Sequence, residues 1–99
     1  MGTSDGDGTA ERASAPEAMR SAARQLAELI GSAPDSVSSL QPADDGWTAH
    51  VEVVEIERIP ETTSVMASYR VDLDPSGQLL GYERVRRYSR GQTDRESRR

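Results

Sequence analysis

The sequence predicts an α+β domain, with one N-terminal amphipathic helix packed on a three- to four-stranded antiparallel meander. Three observations carry that expectation. One stretch, Met19 to Ile30, repeats its apolar residues at three- and four-residue steps, the period of a helix face. The runs that follow alternate apolar and polar residues with period two, the pattern of strands with one buried side. Turn residues separate these runs, so consecutive strands fold back on one another.

Each element has its own signal. Ser14, Pro16 and Glu17 offer a hydroxyl cap, a proline in the first turn and a carboxylate three residues after the cap. Met19, Ala22, Ala23, Leu26 and Ile30 form the stripe, with Arg20, Arg24 and Glu28 off it. Gly31 stands where a left-handed cap is wanted, and Pro34 prevents continuation. A helix over 16–30 follows. A short strand is expected around Val37–Leu40, before the Asp44-Asp45-Gly46 turn. From Trp47 to Val53 the apolar side chains occupy odd positions. The phase then slips at Val53-Val54, which predicts a bulge near Val53. Trp47 is read as the anchor of this strand in the core. Arg58 to Ser64 is a longer hairpin loop, and Val65 to Leu73 alternates cleanly. Asp74-Pro-Ser-Gly77 is a turn, and Gln78 to Tyr88 is the last strand.

Composition bounds the rest. The chain has 99 residues, enough for one domain, and only 34% of them are apolar, with no Phe. Residues 1–15 are read as a disordered acidic tail and 91–99 as a disordered Arg-rich tail, since neither has enough to bury. The ordered domain is then 16–90. With no Cys, disulfides, thiol catalysis and zinc ribbons are excluded. No apolar run approaches the roughly 20 residues that span a bilayer, and no basic-then-apolar leader opens the chain. A soluble, cytoplasmic protein without membrane contact is expected.

The net charge of −5 hides a polarity. Residues 1–57 carry three arginines against eleven acids, a balance of −8, while 58–99 carry nine against six, a balance of +3. All twelve basic residues are Arg. From Arg84 onward the balance is +5.

Several patterns invite chemistry. Asp72-Leu-Asp74-Pro-Ser76-Gly77, continuing to Glu83, spaces its oxygens like a calcium-binding EF-hand loop. Both flanks read as strands rather than helices, so a hairpin turn is the reading. His50 is the only His and sits mid-strand between Thr48 and Glu52 on its own face, a solvated residue with no triad partner. Glu52, Glu55 and Glu57 form an acidic strip, but nothing in the spacing pairs two carboxylates as acid–base catalysis requires. No glycine-rich phosphate loop is present. No enzyme, cofactor or metal is expected.

The last strand is the most unusual. Period two places Tyr82, Arg84, Arg86 and Tyr88 on one face and Leu79, Glu83, Val85 and Arg87 on the other. A Tyr-Arg-Arg-Tyr row either is a solvated face whose arginines pair with acids such as Glu52, Glu55 or Asp72, or docks an acidic protein surface. Stacking on bases is a third reading, against which a pI near 4.8 argues. Tyr82, Arg84, Arg86, Arg87 and Tyr88 are the candidate partner-binding residues, and exposed meander edges allow a weak homodimer.

At these residues the chain resembles a known family. Gly46-Trp47, Val51 to Pro60, Tyr69 to Asp74, Gly77 and Gly81 to Tyr88, with the Ala-rich helix closed by Gly31, are similar to the gas vesicle protein GvpO family over 18–90. The Arg-only composition suits its actinobacterial branch. The resemblance implies a non-enzymatic accessory factor of gas vesicle formation that binds other vesicle proteins, shell or accessory, during assembly. It does not imply the wall itself, since a wall facing gas must be strongly apolar and the mean hydropathy here is −0.70. The competing readings are a regulator of vesicle gene expression using the same arginines on nucleic acid, and a PepSY-like small binding or inhibitory module.

Overall fold

A computed structural model describes residues 12–91. Helix α1 (Ala15–Ile30) is followed by strands β1 (Ala33–Ala43), β2 (Gly46–Ile56), β3 (Val65–Leu73) and β4 (Leu79–Ser89), with one 3-10 turn at Glu61–Thr63. The strands form one antiparallel sheet in the order β1-β2-β3-β4. This is the expected helix on a meander, at its four-stranded limit.

The helix starts on the signals read from the sequence. Ser14 Oγ accepts the Glu17 N–H at 3.2 Å, and Glu17 Oε1 accepts the Ser14 N–H at 2.9 Å. That reciprocal cap, through the Ser14 backbone first, holds the Glu17 carboxyl below its ordinary range. Gly31 closes the helix at φ 72°, its N–H bonded to the Ala27 carbonyl.

The expected stripe packs on the sheet except at Met19, whose place is taken by Ala18; Ala23 and Ile30 lie partly buried against the core. Ala18, Ala22 and Leu26 are fully buried, whereas Met19 is 37% exposed. Polar bonds fix that orientation: Ser21 Oγ donates to the Gly77 carbonyl at 2.7 Å, and Gln25 both donates to it and accepts the Leu79 N–H. With Ser21 and Gln25 tied to the β3–β4 turn, the two alanines face the sheet and let the helix lie close to it. Ordered structure also begins before residue 16. The Arg12 guanidinium lies 4.8 Å from the Trp47 ring centroid and donates to the Gly46 carbonyl, while Ala13 N–H bonds to Pro75. Residues 1–11 and 92–99, which hold most of the two expected tails, lie outside the described residues.

One side of the sheet faces α1. It buries Trp47, Ala49, Val51 and Val53 of β2 and Ala67, Val71 and Leu73 of β3. Val37 and Leu40 of β1 pack against this cluster, and β1 extends well beyond them to 11 residues. Gly46 begins β2 at φ 146°, so close to β3 that a Cβ there would collide with the Leu73 carbonyl oxygen. The β2 irregularity falls between Val54 and Ile56, making Glu55 the extra residue, two positions beyond the expected slip.

Candidate functional site

Strand β4 does not have the regular two-residue alternation that the sequence implies. Its register against β3 shifts between Ser68 and Tyr69, and again between Asp72 and Leu73, which makes Val85 and Leu80 the extra residues. Each bulge exchanges the two faces. Tyr82 is opposite Val71, Arg84 opposite Tyr69 and Arg87 opposite Ala67, all on the side facing α1. Arg86 is opposite Ser68 and Tyr88 opposite Met66, on the open side. The expected single row of Tyr82, Arg84, Arg86 and Tyr88 is therefore split at Val85, and Arg87 joins Arg84 rather than opposing it.

On the α1 side, Glu55 receives both arginines. Arg84 Nη1 lies 2.9 Å from Glu55 Oε2, and Arg87 Nε lies 2.9 Å from Oε1. The Glu55 side chain is 15% exposed, while the two arginines remain about half exposed, at 48% and 53%. One carboxylate thus holds two guanidinium groups and leaves one positive charge in excess. Tyr82 is 44% exposed, its ring 6.2 Å from that of Tyr69.

The open side carries a groove of about 490 Å³, with Glu52 at its centre. Glu52 Oε2 accepts the Ser38 and Ser68 hydroxyls at 2.6 and 2.8 Å, and Oε1 accepts the Tyr88 hydroxyl at 2.6 Å. Those four residues come from β1, β3, β4 and β2, so one carboxylate ties every strand together. Burial and then this bond push the Tyr88 phenol up to about 12. The Arg86 guanidinium stacks 4.4 Å from the Tyr88 ring centroid. At the mouth, Arg90 Nη2 pairs with Asp35 at 3.3 Å. Met66 and Ser68 are buried on this side, 2% and 7% exposed, although the alternation assigns them to solvent. Both line the groove with Tyr88, the cross-strand neighbour of Met66.

The other candidates fall into structural roles. His50 is half-buried, its Nδ1 2.9 Å from the Ser39 hydroxyl. Glu52 and Glu55 occupy opposite sides of the sheet, and Glu57 is exposed beyond its end. The calcium-like segment is the β3–β4 hairpin turn. Asp74 Oδ1 accepts the N–H groups of Ser76 and Gln78 and the Ser76 hydroxyl, which holds its carboxyl below its ordinary range. Asp72 and Glu83 both pair with Arg70, at 3.7 and 3.1 Å. Among the described residues, no group of three His, Asp or Glu side chains could hold a metal ion.

Sequence reasoning missed Ser38, Ser68, Asp35 and Arg90 as parts of one groove. Serines in a polar strand carry no positional signal, and Arg90 stood at the expected edge of a tail.

Fold and site define a small α+β module whose sheet has a helix on one side, a polar groove on the other and an arginine-bearing edge strand. The family described as "Gas vesicle synthesis protein GvpO" matches residues 2–94, and the chain belongs to that family. It is 56% identical over 77 residues to gas vesicle protein O of a Streptomyces strain, covering 78% of this chain and 60% of that protein. Identity to gas vesicle protein O1 of Halobacterium salinarum is 42% over 53 residues, 54% of this chain and 44% of the relative. The Haloferax mediterranei gas vesicle protein O is 35% identical over 78 residues, 78% of this chain and 54% of the relative. The chain thus spans between 44% and 60% of these curated relatives. No solved structure matches it. Among the described residues, no helix is long and apolar enough to cross a membrane.

Proposed function

We propose that the chain serves gas vesicle formation without catalysis, by binding another protein of the vesicle system in the cytoplasm during assembly. The observation that carries this is the exposed surface of β4. Leu80, Tyr82 and Val85 are 63%, 44% and 46% exposed on one edge strand, interleaved with Arg84, Arg86 and Arg87. Half-exposed apolar side chains beside arginines and a tyrosine match the composition of protein interfaces. Ser38, Ser68 and Tyr88 all donate to the Glu52 carboxylate, which supports a scaffold role for Glu52 rather than a free base.

The nucleic-acid reading has less support. Arg84 and Arg87 are neutralised in part by Glu55, Arg70 by Asp72 and Glu83, and Arg90 by Asp35. Phosphate binding depends on cations available to displace counterions.

The test is affinity purification of the tagged full chain from cells making gas vesicles, against the triple variant Arg84→Gln, Arg86→Gln, Arg87→Gln. The wild type is expected to retain one or more vesicle proteins and the variant to lose them, with circular dichroism unchanged. Equal retention by a folded variant removes these residues from the interface.

A further inference from the structure

The sheet has two edges, and they are not equivalent. Strand β1 contains Pro34 and Pro42, which have no N–H to donate, and its register shifts at Asp35 and at Ser38. Strand β4 runs 11 residues without proline and has a neighbour only on its β3 side among the described residues. Its protection is charge.

That charge has a geometry. The Val85 bulge puts Arg84 and Arg87 on the α1 side and Arg86 on the open side, with Arg87 directly following Arg86. A partner lying flat on either side of the sheet meets only part of the set. A strand added beside β4 meets all of it, because its own successive side chains alternate between the two sides. Consecutive acidic residues in an extended segment therefore fall alternately beside Arg84 or Arg87 and beside Arg86.

Resting on the protein-binding reading above, we propose that β4 accepts an extended partner segment bearing consecutive acidic residues, added as a fifth strand. Main-chain hydrogen bonds supply the docking, and the split arginines select the charge pattern. Antiparallel pairing of β4 with itself across its centre sets Arg84 against its own copy, and like charges directly opposite are destabilising. An acidic strand carries no such conflict. Glu55 holds Arg84 and Arg87 extended before any partner arrives, which limits the ordering they must undergo.

The test uses two end-blocked Thr/Val peptides of about nine residues, a length matched to β4. Both carry three Glu, either consecutive or at every second position, and both are titrated into the full chain at low salt. The consecutive peptide is expected to bind roughly tenfold more tightly, the effect of one or two additional cross-strand ion pairs. Single N-methylation along it is expected to weaken binding at alternate positions only, since alternate N–H groups of an added strand face its neighbour. The Arg86→Gln variant is expected to lose the preference between the peptides while its fold survives.

Equal affinities, N-methyl effects without that period, or no binding by either peptide at about 1 mM overturn the proposal. So does sedimentation showing a dimer that the consecutive peptide dissociates, or tighter binding of a single-stranded oligonucleotide in competition with the peptide. If the peptides fail while vesicle proteins still co-purify through the β4 arginines, strand addition falls and the protein-binding reading stands. If no vesicle protein co-purifies, that reading falls too.

Discussion

Replacing Tyr88 by Phe removes one oxygen and leaves the ring and the Arg86 stacking in place. The lost bond is the 2.6 Å contact from the phenol to Glu52 Oε1, in the range of charge-assisted O–H···O⁻ bonds. Hydrogen bonds to charged groups contribute about 1.5–3 kcal/mol net, and the half-buried position lets water reach Oε1, so the lower end applies. A loss of about 1.5 kcal/mol is expected at pH 8, equivalent to roughly 6–12 °C in Tm for a domain of this size. The pH dependence has a definite sign. The phenol is raised from 10.0 to about 12 in the folded state, so folding favours the protonated form. Its contribution is complete below pH 10 and is lost as pH rises through 10 towards 12. Urea melts of wild type and Tyr88→Phe, followed by circular dichroism from pH 7 to 11.5, should show a gap that is constant to about pH 9.5 and then narrows. Equal stability at pH 8, or a gap that does not close, refutes the carboxylate-centred account of the groove.

Three further outcomes follow from the structure. Gly46→Ala drives a methyl into the Leu73 carbonyl oxygen and should cost more than about 4 kcal/mol, read as loss of the cooperative melt. Ser14→Ala removes one half of the reciprocal cap and should cost about 1 kcal/mol in urea melts at pH 7, with the helix otherwise intact. Because the Glu17 and Asp74 carboxyls are held below their ordinary ranges, their contributions are present at neutral pH and disappear as pH falls below about 4. Asp74→Asn should therefore lose part of that acid dependence in melts between pH 2 and 6.

What could be read from the sequence depended on how much each position has to bury. The Ser14–Glu17 cap, Gly31 and the Asp74–Gly77 turn are local chemistry, set by residues within a few positions of one another, and all three are where the pattern places them. Strands β2 and β3 alternate because the helix covers one side of them. By contrast, β1 has little beyond Val37 and Leu40 to bury and is held by backbone pairing to β2, so only its middle was legible. Of the helix stripe only Met19 departs, exposed where Ala18 is buried, because Ser21 and Gln25, which orient the helix, bond to a turn more than 50 positions away.

The β4 bulges were invisible for a related reason. On a strand with no buried side, inserting Leu80 or Val85 disturbs no hydrophobic pattern, so nothing in the sequence records the change of face. The candidate residues were thus named without their arrangement. The groove was hidden more completely, since its central carboxylate is held by two serines and a tyrosine from three other strands.

Amide hydrogen exchange of the full chain, alone and bound to the vesicle proteins with which it co-purifies, tests the central claim most directly. Binding is predicted to protect N–H groups along β4 that face away from β3, while β1 and α1 exchange as before. Protection confined to β1 or to α1, or none along β4 in a complex that demonstrably forms, would contradict it.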